Sequence, residues 1–168
     1  MLIKYFNKLE TSTPTKAKDA LRAISVFFYA MIGGTLMFTV IVFVLNFLES
    51  PALFDRSMIR IFFIAVLAIA GLSILMATRL YKKRITDGVS PGMPLMGKLD
   101  VYRSALMLYL ALCEGSGLFA VIVYFITGYK LLLIVIAVVL LAMLQKRPQK
   151  SKIFNELQLS SQEQLELN

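Results

Sequence analysis

The sequence predicts an all-α integral membrane protein whose four transmembrane helices form two antiparallel hairpins with both termini cytoplasmic. Two observations carry that reading. Of 168 residues, 58% are hydrophobic and only 17% charged, against roughly 45–50% and about 25% in soluble domains. The apolar residues are also gathered into long runs with Lys and Arg clustered between them. Such runs must satisfy every backbone hydrogen bond internally, which a helix does. The balance excludes a disordered chain, and a single cysteine, Cys113, excludes a disulfide scaffold. With no histidine in the chain, imidazole-dependent catalysis, bis-His haem and His-ligated zinc are excluded too.

A basic leader, 1–22, opens the chain, and Thr13-Pro14 suits a helix start, with Thr as cap and Pro at the first helical position. The first span, 23–48, carries no charge; it is too long and too far from the start for a signal peptide and is read as retained. An outer loop, 49–60, leads to the second span, 61–78, between Arg60 and Arg79. A basic connection, 79–103, holds Lys82-Lys83-Arg84 and the turn-rich Asp87-Gly88-Val89-Ser90-Pro91-Gly92-Met93-Pro94, and reads as a flexible linker or a docking loop. The third span, 104–127, meets a tight turn at 128–130, which forces the fourth span, 131–145, to be its neighbour. That last run reaches only about 22 Å, so Lys130 and Lys146 must snorkel or the bilayer must thin. In the tail, 146–168, Ile153, Phe154 and Leu157 fall at helical spacing, and Ser160 and Glu163 have the spacing of a capping box. Its apolar face suits a membrane interface or a partner.

Fifteen of the 18 Lys and Arg lie in the leader, the middle connection and the tail; only Arg56, Arg60 and Lys130 lie on the other side. Because basic segments resist translocation, this asymmetry predicts cytoplasmic termini. The net charge of +8 then answers to topology and to anionic lipid headgroups, with no nucleic acid implied.

One charge stands inside the spans. Glu114 lies about 16 Å of helix from Arg103, near the bilayer midplane. An acidic side chain there costs about 2.5–3.5 kcal/mol on insertion scales. One reading is a proton or cation site; the other is an interhelical hydrogen bond to Tyr29, Thr35 or Ser73, forming an intramembrane polar site of Glu114, Tyr29 and Ser73. Small residues four apart, Ala30 and Gly34 in the first span and Ala111 and Gly115 in the third, with Gly117 beside them, are candidates for close helix packing. Gly115-Ser116-Gly117 lacks the leading glycine of the rhomboid Gly-x-Ser-Gly motif, which would fall at Glu114, and no catalytic residue, cofactor or metal is expected.

The segment Ala111-Leu112-Cys113-Glu114-Gly115, followed by Leu118-Phe119-Ala120, is similar to the ion-binding helix of rotary ATPase proteolipids, which set a carboxylate in an Ala- and Gly-rich span. The second half, from Tyr102-Arg103-Ser104 through Tyr124-Phe125-Ile126-Thr127-Gly128 to Leu157-Gln158-Leu159-Ser160, resembles a group of small uncharacterised bacterial four-span inner-membrane proteins, which implies an inner-membrane location. Functionally, the expectation is a non-enzymatic accessory or assembly component, a homo-oligomer or a subunit of a larger membrane complex. The alternative is a proton- or cation-handling transporter or channel subunit built on Glu114.

Overall fold

The computed structural model describes residues 13–48, 55–90 and 92–167. The first half of the leader, at 1–12, and most of the outer loop, at 49–54, lie outside them. Among the described residues six helices follow in chain order: α1 (Thr13–Leu48), α2 (Arg56–Gly88), α3 (Leu95–Thr127), α4 (Leu132–Gln145), α5 (Lys150–Glu156) and α6 (Ser161–Leu167). Among the described residues there is no strand. Three helices, α1, α2 and α3, are long and apolar enough to cross a membrane; α4 reaches that standard only together with α5, from which it is bent by 72°. The described residues therefore hold three or four candidate spans.

α3 organises the bundle. It packs against α1, α2 and α4, whereas α1 and α2 make at most marginal contact with each other. The directions follow from cross-contacts. Asn46, near the end of α1, donates through Nδ2 to the Tyr124 carbonyl near the end of α3 (3.1 Å), so those helices run parallel. Phe63 near the start of α2 stacks edge-on against Tyr129, and Tyr81 near its end meets Tyr102 and Tyr109, so α2 runs antiparallel to α3. The outer faces of α1 and α2 are the reverse of a soluble helix: Met37, Phe47, Ile61, Leu72 and Leu75 are all more than half exposed. An apolar surface of this extent is what hydrocarbon solvates.

The connection between α2 and α3 differs from the sequence expectation of a linker over 79–103. α2 continues through the basic run to Gly88 and α3 begins at Leu95, leaving only 89–94. The reason is a packing stripe: Ala77 and Tyr81 are buried, Ile85 is half-buried, and Gly88 lies so close to Val101 that an added Cβ would sit 2.7 Å from its Cγ1. Arg and Lys are good helix formers, so nothing in 79–86 opposes the extension. Between the two helices Gly92 takes φ 84° and the Met93 N–H reaches the Ser90 carbonyl at 3.2 Å. That positive φ is open to glycine at little cost.

At about 1.5 Å per residue, α2 and α3 are each about 50 Å long, well beyond a hydrocarbon layer of about 30 Å. The excess forms a stalk at the basic end of the bundle, and the tail folds onto it. Ile153, Leu157, Leu159 and Leu167 are buried, against the chain's own helices, each contributing about 1.5–3 kcal/mol of gross burial. The apolar face of the tail is thus taken up within the chain.

Candidate functional site

Two groups of polar side chains stand out, and the chain treats them in opposite ways. The first lies where α4 ends on the stalk. Pro148 cannot continue a helix, and the last turn of α4 tightens so that the Lys146 N–H reaches the Met143 carbonyl (3.1 Å). This leaves the Ala142 carbonyl without its usual helical donor, and the Tyr109 hydroxyl donates to it across the interface (2.9 Å). Lys152 Nζ donates to the Gln145 carbonyl at 3.1 Å. Tyr81 donates its hydroxyl to Glu156 Oε2, the Lys146 ammonium lies 4.0 Å from the centre of the Tyr81 ring, and Lys146 pairs with Glu156 at 3.7 Å. Tyr102 and Tyr109 set their rings edge-on to Tyr81. Every carboxylate and cation named here has a partner, so the cluster acts as a latch that holds α5 against α2 and α3.

A second latch sits lower on the stalk. Lys98, nearly buried, donates to both oxygens of Glu163 at 2.8 and 2.9 Å. Glu163 also accepts the Ser160 N–H (2.7 Å) and donates its own N–H to Ser160 Oγ (3.4 Å), the reciprocal capping box read from the sequence. Burial works against the charge on Glu163, but Lys98 and Ser160 outweigh it and hold the carboxyl below its ordinary value.

The other group is centred on Glu114 in the middle of α3. It is half-buried, and among the described residues no side chain hydrogen-bonds or pairs with it. The three partners considered from the sequence are engaged elsewhere or apart. Thr35 is buried, but its hydroxyl donates to the Met31 carbonyl of its own helix (3.1 Å). Tyr29 is 49% exposed, stacks edge-on with Phe28, and lies below the Arg147 guanidinium at 5.7 Å. Ser73 is half-buried on α2 and makes no hydrogen bond to Glu114. Glu114, Tyr29 and Ser73 are therefore not joined by hydrogen bonds among the described residues.

The small residues divide. Gly117 is buried at a close approach of three helices, where an added Cβ would lie 3.3 Å from Val139 Cγ1 and 3.7 Å from Thr35 Cγ2. Ala30, Gly34, Ala111 and Gly115 are exposed, and an added Cβ at Gly34 or Gly115 meets nothing within 4 Å. Ala111, Gly115, Phe119 and Ile122 share one exposed stripe of α3 beside Glu114, at the three- and four-residue spacing of a single helix face. α3 thus carries helices on its other sides and leaves this stripe open. The tyrosine latch is missing from the sequence reading. Its one signal is Tyr102 and Tyr109, seven apart and so on one face of α3, while the arrival of Tyr81, Lys146 and Glu156 depends on the tertiary path. Comparison with protein-family models, with characterised proteins and with solved structures finds no match to this chain.

Proposed function

We propose that the protein is a non-enzymatic assembly component of a membrane complex, inserted in the bacterial inner membrane with its basic stalk and tail in the cytoplasm, which joins another membrane helix through the Ala111–Glu114–Gly115 face of α3. The observation that carries this reading is Glu114: a carboxyl group at mid-span, half-exposed, without a polar partner among the described residues, beside two exposed small residues. A lone acidic group in hydrocarbon is costly, and a neighbouring helix that brings a donor removes that cost. Small residues let backbones approach closely enough for such a bond. The partner is a second copy of this chain or another multi-span protein. The orientation rests on the Lys and Arg asymmetry.

The test is site-specific photocrosslinking in the membrane. A photoreactive residue at Ala111 should trap a membrane partner, and one at Met37 on the outer face of α1 should trap lipid only. If both positions give the same yield, the α3 face has no special role. Replacing Glu114 by Gln and by Ala separates assembly from ion handling. Gln keeps the hydrogen bond, so assembly should persist with Gln and fall with Ala; loss of proton or cation flux with Gln alone would favour transport.

A further inference from the structure

A second feature lies apart from the α3 face. Where the first turns of α1 meet the α4–α5 corner, a cleft of about 490 Å³ has Lys18, Asp19, Arg22, Ser25 and Lys150 as its polar lining, over an apolar floor that includes Leu21, Ile153 and Leu167. Lys18, Arg22 and Lys150 are all exposed, and none makes an ion pair or hydrogen bond with another described residue. This contrasts with the neighbouring latch, where Lys146 and Lys152 have partners within the chain. Among the described residues that line it, three uncommitted cations stand against one carboxylate, Asp19, so this lining is positive.

Its position decides the ligand. On α1, residues 18, 22, 25 and 29 fall at three- and four-residue spacing and so share one face. Continuing along it, the polar wall gives way to Tyr29, 49% exposed beneath Arg147, and then to Leu36, 51% exposed. The cleft is therefore cationic at the stalk, and the same face of α1 continues beyond it as exposed apolar surface in the direction of the span. A soluble anion would use only the first half; an acidic glycerophospholipid uses both, its phosphate among the cations and an acyl chain along Tyr29 and Leu36. We infer that this cleft is a specific headgroup site for an anionic phospholipid, clamped between α1 and the α4–α5 corner.

The experiment uses the full chain, delipidated in a neutral detergent and titrated with dioleoyl phosphatidylglycerol or dioleoyl phosphatidylcholine, with bound lipid counted by native mass spectrometry. Phosphatidylglycerol should bind in preference. The double variant Arg22→Gln/Lys150→Gln should weaken its binding about tenfold or more, given what each basic residue contributes at an anionic surface. Lys82→Gln/Lys83→Gln, which removes the same charge elsewhere on the stalk, should leave the affinity within about twofold, and Asp19→Asn should tighten it. The gain from Asp19→Asn cannot arise from misfolding, so it decides the matter even if the double variant is unstable. Equal losses in the two double variants, no preference over phosphatidylcholine, or displacement of the lipid by millimolar inorganic phosphate would overturn the assignment.

Discussion

Glu163 and Glu114 are both carboxylates on helices, and their surroundings could hardly differ more. Glu163, on the stalk, takes two hydrogen bonds from Lys98 and one from Ser160 and locks the tail in place. Glu114, at mid-span, has no such partner among the described residues. The chain pairs Glu156 and Glu163 at the basic end and leaves Glu114 open in the middle of α3. This difference teaches where to look for a second protein. A carboxyl group in water can go unpaired at little cost, while one in hydrocarbon cannot.

The comparison breaks most readily at the stalk. Leu157, next to Glu156 in the chain, is fully buried, and Leu157→Ala should destabilise the docked tail by about 2–5 kcal/mol. Limited proteolysis should then cut the tail faster, with the span helices intact by circular dichroism; an unchanged cutting rate would mean that the tail is not held by its apolar face.

Within α3 the two glycines provide a sharper contrast. Gly117→Leu forces a large side chain between Val139 and Thr35 and should lower stability in detergent by about 1–3 kcal/mol. Gly115→Leu fills open space, so it should change the isolated chain by no more than about 0.5 kcal/mol. It should nonetheless reduce crosslinking to a partner. Thermal melts and crosslink yields, read together, check both halves of this expectation.

The smallest effect is that of pH on the second latch. Because Glu163 is held below its ordinary value near 4.5, the docked tail takes up a proton less readily than the undocked tail. Its contribution is therefore fully present above about pH 4.5 and is lost as pH falls through the lower docked-state value. A fluorophore on a cysteine at Leu165, which is 73% exposed, should report release on acidification. Glu163→Gln should remove that step at a cost of about 1 kcal/mol at neutral pH.

What could be read from the sequence was whatever depends on local composition. The apolar runs gave the helices, and Ser160 with Glu163 gave the capping box, because both signals lie within a few residues. The extent of α2 beyond Arg79 is hidden by its charge density, which resembles that of a connection, although Ala77, Tyr81, Ile85 and Gly88 form a stripe at helical spacing. The fate of the tail was not legible: an amphipathic segment looks the same whether its cover is lipid, a partner or the protruding ends of its own helices. For the same reason Gly117 and Gly115, two residues apart, were indistinguishable until the positions of α1 and α4 around α3 were known. Glu114 was legible as an anomaly but its exposure was not.

The central claim is that Glu114 finds its partner outside this chain. Single-molecule subunit counting in native-membrane nanodiscs, with co-isolated proteins identified by mass spectrometry, tests it most directly on the parent protein and on Glu114→Ala. The account predicts that the parent occurs with a second copy or a recurrent membrane partner and that Glu114→Ala occurs alone with its helical content unchanged. A parent protein that is solitary in the bilayer, or a Glu114→Ala variant that assembles as the parent does, would contradict it.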